Sequence, residues 1–343
     1  MDDISVATAD VMEPVELQVI ADALDGEADR ARHDVAVARV PALHVIEWQA
    51  PPEPPVPVPR LRIAAWNAER CKYAGESALL LREVGADIVL LSEVDVGMAR
   101  SGNRHTVADL AGALGTGYAF GVEFVELGLG DERESVWHAG AANTHGYHGN
   151  AILSELALEA PCRIALDDGA TWFLPGADPT QRRLGGRMAV AATVAGTPLW
   201  IVSVHLESRS TPRLRAEQGR RLIAALDRLA PGAPMVIGGD VNTADLPRGE
   251  RLPDDALERP DEAEPLFAEM AAAGFGWQGA NDAAPTCRTR PDGTPLPPFT
   301  RIDWLFTRGV RPVACGTVPA VAPDGSAISD HDLVWVDLAL DEA

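Results

Sequence analysis

From Leu61 onward, short apolar runs rich in branched residues alternate with turn-forming and polar stretches, and the runs are of strand rather than helix length. The pattern predicts strands at 61–66, 87–91, 119–125, 150–153, 188–194, 199–206, 235–237, 301–306 and 333–338. Helical spacing predicts helices at 76–84, 105–114, 212–229 and 264–273. In the third of these, Thr211 stands as N-cap, Pro212 opens the first turn, and Leu222, Leu226 and Leu229 recur on one face. The fourth stops at Gly274, a usual residue just past a helix end. So many strands with so few helices imply two packed sheets covered by helices, a layered α/β fold. Residues 1–60 differ: an acidic start, a helix expected around 15–38, then a proline-dense run from Pro51 to Pro59 that should be an extended strap. The expected division is an N-terminal arm over 1–60 and a main domain over 61–343.

Composition narrows the class. The chain has 343 residues, 46% hydrophobic and 23% charged, enough apolar surface for a globular core. Lys and Arg number 29 against 51 Asp and Glu, a net charge of -22, with an isoelectric point near 4.7. Binding to a long phosphate backbone draws on Lys and Arg displacing counterions, so non-specific duplex DNA is an improbable partner. The start, Met1-Asp2-Asp3-Ile4, lacks a basic and apolar leader, and no apolar run is long enough for a span, so a cytoplasmic protein with no membrane span is expected. Cys71, Cys162, Cys287 and Cys315 are scattered with no C-x-x-C pair, which points to reduced thiols rather than a zinc or redox site. Gly274 to Gly279 fits G-x-G-x-x-G, but a helix precedes it and loop-like sequence follows, so it is not a dinucleotide fingerprint.

The chemistry gathers at strand ends. Asn67 and Glu69 follow the first strand, Glu93 the second; His205 closes 199–206, Asp240 and Asn242 follow 235–237, Asp303 opens the run at 301–306, and Asp330-His331 precede the last strand. Singly, each is explained by a turn former, a solvated acid or a satisfied core histidine, and Gly238-Gly239 by a simple turn. Together they supply carboxylates and an amide oxygen for a hard cation such as Mg²⁺ or Mn²⁺, a histidine donor, and a carboxylate to orient water. Adjacent residues of a regular strand face opposite sides, so Asp330 and His331 share a site only from a loop, which Ser329 begins. Asp303 is then the natural carboxylate to hold the His331 imidazole.

The stretches Trp66-Asn67, Ser92-Glu93, Gly149 to Ser154, Val204 to Glu207, Gly239 to Asn242, Arg301 to Asp303 and Ser329 to His331, in that order, resemble the motif series of the endonuclease/exonuclease/phosphatase superfamily, the DNase I-like phosphoesterases. The resemblance covers residues 61–340. It implies a four-layer α/β sandwich of two packed mixed sheets flanked by helices, and metal-dependent hydrolysis of a phosphoester. It assigns Glu93 as the principal Mg²⁺ ligand with Asn67 beside it and Asp330 near the metal. Asp240 would orient or deprotonate the attacking water, Asn242 would hold phosphate or water, and Asp303 would support His331 as it stabilises the transition-state oxyanion. His205 matches the position that contacts the leaving oxygen, and Asn150 and Arg187 match phosphate-contacting positions.

Within that superfamily, the stretch from His205 to Ser208 and the helix after it are similar to the phosphodiesterase that removes tyrosyl adducts from DNA 5′ ends, and to sphingomyelinase-like members. The charge of -22 favours a small or lipid-like phosphodiester. A nuclease or DNA-end processing enzyme, a phosphomonoesterase and a catalytically silent binding module are the other readings, the last opposed by the complete set of catalytic positions. The segment 128–148, with Trp137, His138, His145, Tyr147 and His148, fits either a structural loop or a substrate lid, in which His148 would meet the substrate.

Overall fold

Strands that are apolar on both faces need cover on both sides, and the chain provides it by layering. The computed structural model describes residues 3–56 and 59–340. The first stretch holds β1 (Ile4–Ser5), β2 (Thr8–Ala9), α1 (Leu17–Leu24), α2 (Arg30–Ala38) and β3 (Ile46–Gln49). There follow β4 (Arg60–Arg70), α3 (Ala74–Val84), β5 (Ile88–Val96), α4 (Thr106–Leu114), β6 (Gly117–Glu126), α5 (Glu132–Trp137), β7 (Tyr147–Ser154) and β8 (Leu158–Ala165). Then come β9 (Arg183–Gly185), β10 (Met188–Val194), β11 (Trp200–His205), α6 (Pro212–Leu229), β12 (Met235–Asp240), α7 (Asp254–Glu258) and α8 (Leu266–Ala272). The chain ends with β13 (Cys287–Thr289), β14 (Pro295–Thr300), β15 (Asp303–Arg308), β16 (Arg311–Val318) and β17 (Leu333–Ala339).

One mixed sheet runs β1-β8-β10-β11-β12-β15; the other runs β16-β17-β4-β5-β7-β6-β3-β2, with β9 beside β6. Between them Ile63, Ala65, Ile88, Leu90 and Ile152 meet Val190, Ala192, Ile201, Val236 and Leu305 in one apolar slab. The outer face of the larger sheet packs Trp66, Val89 and Leu91 against Leu81 of α3 and Leu110 of α4. That of the smaller sheet packs Val202, Ile237 and Phe306 against Leu222 of α6 and Phe267 of α8. The result is the four-layer α/β sandwich. Among the described residues no helix is long and apolar enough to cross a membrane.

Every expected strand is present, and β10 and α6 begin and end where the pattern places them. The Thr211 hydroxyl accepts the Leu214 N–H, capping α6. Three features differ from expectation. The helix expected at 15–38 is two, because Gly26 takes φ +87 and Asp29 starts α2 afresh by accepting the Arg32 N–H at 2.8 Å. The glycine pair at 238–239 is not a turn but lies inside β12. A Cβ on Gly238 would sit 2.7 Å from Leu305 and 2.9 Å from Leu90, so glycine there lets the two sheets close. Beyond those, β8, β16 and the short β9, β13 and β14 escape the apolar pattern: β8 carries Pro161 and Arg163, and β16 is a half-buried edge strand with Pro312 and Gly316, residues an edge tolerates.

The arm is woven into both sheets. Ile4 pairs with Ile164 of β8, and β3 lies antiparallel to β6. The buried Glu47 carboxylate on β3 accepts the Met12 N–H at 2.9 Å and the Tyr118 hydroxyl at 2.6 Å, with His105 Nε2 at 2.7 Å. Of the proline strap, 51–56 form neither helix nor strand, and Pro57 and Val58 lie outside the described residues.

For the site, pairing direction matters most. β4 and β5 are parallel, as are β11 and β12, with His205 opposite Asp240. β15 runs antiparallel to β12 and sets Asp303 opposite Asp240. The carboxyl ends of four strands and the amino end of a fifth therefore open at one edge, the usual place for a cleft in layered α/β folds.

Candidate active site

Two bulges aim the first group of side chains. The β4–β5 register shifts between Asn67 and Arg70, and the β5–β7 register between Leu91 and Val94, so both strands are distorted at the same level. There Glu69, Arg70, Cys71 and Glu93 take φ of 44, 68, 52 and 52, and across the cleft Asn242 takes 52. Each such left-handed non-glycine residue costs about 1–2 kcal/mol. Strain of this kind concentrates where side-chain direction matters more than backbone comfort.

Contacts then join the two sheets. Asn67 Nδ2 donates to Asp240 Oδ2 at 3.2 Å, while its Oδ1 accepts the Glu69 N–H at 3.1 Å. Asp240 Oδ1 accepts the Asn242 N–H at 2.9 Å, and Asn242 Nδ2 donates to the Leu206 carbonyl at 2.9 Å. His331 Nδ1 lies 2.8 Å from Asp303 Oδ2, with its Nε2 3.8 Å from Asp240 Oδ2. His205 Nε2 approaches the same Asp240 oxygen at 3.5 Å. The loop that carries His331 is pinned twice: the Ser329 hydroxyl donates to the Asn67 carbonyl at 2.7 Å, and the Asp330 N–H donates to Glu69 Oε2 at 3.0 Å. His205 Nδ1 and Asp303 Oδ1 are buried with no hydrogen-bond partner in the protein.

The electrostatics divide these groups into roles. Burial, then repulsion from Asp303, pushes the Asp240 carboxyl up to about 7, against the pull of His331. Burial opposes a charge on His331, but the surrounding carboxylates, Asp303 first, win and hold it protonated well above the ordinary imidazole range. His205 goes the other way, since burial and the nearby Arg187 guanidinium keep it neutral. Two imidazoles on one carboxylate are thus held in opposite charge states. Glu93 is largely enclosed, which alone would raise its carboxyl, yet the Arg70 guanidinium, with the charged His331 beyond it, holds the carboxylate well below the usual range. Glu93 and Asp330 in turn act on each other electrostatically, as do Glu93 and Asp240.

The donor set fits a hard divalent ion. Glu93, Asp330 and the Asn67 amide are oxygen donors, and beside them burial and the Asp330 charge push Glu69 up to about 7, while burial and Glu93 raise Asp330. That is negative charge crowded into little solvent, which a cation relieves. Asp240, Asp303 and His331 form a separate group, with ligand atoms within 4.8 Å of one another. Because Asp303 is committed to His331 Nδ1, that group could handle protons, while Asn67, Glu93 and Asp330 could hold a metal.

The expected substrate contacts lie deeper. Arg187 donates to Glu207 Oε2 at 3.0 Å and to both Glu123 oxygens at 3.2 Å. His148 Nδ1 lies 2.8 Å from Asp95, whose carboxylate also takes two bonds from Arg100. Asn150 Nδ2 donates to the Met188 carbonyl at 2.8 Å, leaving Oδ1 buried without a partner. In the segment 128–148, Tyr147 and His148 belong to β7, whereas α5 is closed by a capping box between Asp131 and Glu134 and leaves Trp137 exposed. Sequence reasoning noticed Glu69 but assigned it no role, and it missed Arg70, Glu123 and Glu134. Glu69 carried a signal, its position two residues after Asn67; the others carry none, because their roles arise from contacts far along the chain.

Comparison with known proteins bears on this arrangement. The profile of the Endonuclease/Exonuclease/phosphatase family matches residues 64–331. A search of curated proteins returned no match. Among solved structures, an endonuclease/exonuclease/phosphatase from Beutenbergia cavernae is 21% identical over 82% of this chain and 72% of its own, with a TM-score of 0.54. One from Bacteroides vulgatus is 16% identical over 82% and 99%, with a TM-score of 0.54. An AP endonuclease from Archaeoglobus fulgidus is 17% identical over 82% and 100%, with a TM-score of 0.52. At these identities the structures share the fold. The family profile shows that the chain belongs to the Endonuclease/Exonuclease/phosphatase family and is a metal-dependent phosphoric ester hydrolase.

Proposed function

We propose that the protein is a Mg²⁺-dependent phosphodiesterase acting on a small or lipid-like phosphodiester, with Mn²⁺ able to substitute. The observation that carries this reading is Asp240 set between a charged His331 and a neutral His205. Glu93, Asn67 and Asp330 would hold the ion, which when bound neutralises charge on the phosphate oxygens. Asp240, its carboxyl lifted toward neutrality, accepts a proton from the attacking water and aims it. Asn242 steadies Asp240 through its backbone N–H. His331, fixed by Asp303, presents a charged N–H from Nε2 to the oxyanion. His205, held neutral, hydrogen-bonds near the leaving oxygen. Attack forms the new P–O bond as the ester bond to the leaving oxygen breaks. Arg187, bound to Glu207 and Glu123, and Asn150, whose Oδ1 is buried without a partner, would support the substrate side.

A net charge of -22 supports a compact substrate over a polyanion. A cytoplasmic setting accords with four free cysteines. The test is a phosphoester panel with Mg²⁺: bis-p-nitrophenyl phosphate, p-nitrophenyl phosphate, phospholipid head groups, inositol phosphates and nicked plasmid. Cleavage of small diesters, lost in EDTA and restored by Mg²⁺, is the expected result. Turnover of monoesters alone, or of plasmid in preference to every small diester, would replace the reading with a phosphatase or a nuclease.

A further inference from the structure

The metal-side carboxylate already has a cation. Arg70 Nη1 lies 2.5 Å from Glu93 Oε2, and Arg70 Nε lies 3.1 Å from Glu134 Oε1. Glu134 is itself immobilised, because its other oxygen caps α5 by accepting the Asp131 N–H at 2.9 Å and meets Arg100 Nη1 at 3.1 Å. Arg70 is the middle of three successive left-handed residues, Glu69, Arg70 and Cys71, none of them glycine. The guanidinium therefore hydrogen-bonds the carboxylate expected to bind the ion and has Glu134 of α5 as a close counter-charge, its Nε being buried without a hydrogen-bond partner.

We propose that Arg70 is an internal counter-cation that competes with the divalent ion for Glu93, and that α5, through Glu134, sets how strongly it competes. The inference rests on Glu93 being a metal ligand. A bound ion must displace a charge-assisted hydrogen bond, so metal affinity is lower than the carboxylates alone would give. Weakening the Glu134 anchor leaves Arg70 less neutralised and more firmly committed to Glu93. The N-terminal turn of α5 and the metal site thus become one coupled unit.

Isothermal titration of the metal-free full-length protein with Mn²⁺ tests this without reference to activity. Arg70→Gln is expected to bind Mn²⁺ about tenfold more tightly, the scale of one hydrogen bond to a charged group, and Glu134→Gln to bind it more weakly. Lys72→Gln removes an equal charge that pairs with Glu69 at 2.5 Å instead of with Glu93. If it tightens binding as much as Arg70→Gln does, the effect is a general field and the competition is refuted. Unchanged or weaker Mn²⁺ binding by Arg70→Gln also refutes it, and should that variant not fold, the Glu134→Gln result decides. Glu93→Gln separates the two layers of argument: if it binds Mn²⁺ like the parent protein, the metal-site assignment fails before the competition is in question.

Discussion

At the scale of single residues, the proposed site holds identical chemical groups in different charge states. Asp303 does this for His331 and, at greater range, for Asp240, so its replacement should act through both. Asp303→Asn is expected to lower kcat on bis-p-nitrophenyl phosphate by roughly 10²–10⁴, the usual weight of a positioned acid–base group, with an unchanged circular dichroism spectrum. Asp240→Asn should cost at least as much, because one Asp240 oxygen lies 3.5 Å from His205 Nε2 and 3.8 Å from His331 Nε2; full turnover by that variant would remove Asp240 from the mechanism. Most of these residues were legible as types at strand ends. Their charge states were not, since burial and neighbour charge exist only after the strands assemble.

Elements decide which way those residues face. Gly239 lies in β12 immediately before Asp240, with φ +147, and a Cβ there would fall 1.9 Å from the Val204 carbonyl. Gly239→Ala should therefore force β12 away from β11 and either prevent folding or cost several kcal/mol, about 3 or more by analogy with other backbone clashes. Thermal unfolding within one or two degrees of the parent would show that the strands yield more easily than argued. The arm is held by Glu47, which satisfies a backbone N–H, a phenol and an imidazole at once. Glu47→Ala is expected to destabilise by about 2–4 kcal/mol in urea unfolding, mostly by stranding Tyr118 and the Met12 N–H. From sequence, 1–60 reads as an arm distinct by composition, yet β1 forms the edge of one sheet, and β3 with β2 outside it completes the other. Short edge strands carry too few residues for a periodic signal, and their partners lie more than 70 positions away, Glu47 and Phe120 being one pair.

For the molecule as a whole, the buried charges predict how stability follows pH. Glu123, buried beside Glu207, has its carboxyl pushed up to about 7 despite Arg187, so its ionisation opposes folding above that pH and the cost fades as pH falls toward its ordinary value. The net charge of -22 acts in the same direction, because protonation relieves self-repulsion. Glu207 and Asp95 have the opposite sign: arginines hold both below their ordinary values despite burial, Glu207 to about 2, so they stabilise the fold at higher pH and that contribution is lost as pH falls below about 4.5. His205 and His148, held neutral by burial, destabilise the fold as pH falls below their ordinary value of 6.5, so the melting temperature of the metal-free protein should rise from pH 7.5 to a maximum between about pH 5 and 6.5 and fall steeply below 4; a monotonic rise with pH would contradict this balance. The sequence by itself determined the layered class, the strand series and the order of the polar strand ends, because alternation, run length and turn chemistry are local and each residue carries them wherever the chain goes. Only the tertiary structure decided that Arg70 lies on Glu93, that Arg187 is shared between Glu123 and Glu207, and that the two imidazoles differ in charge. Those are pairings between residues far apart in the chain inside a low-dielectric interior, where position relative to other charges, rather than residue type, sets the chemistry.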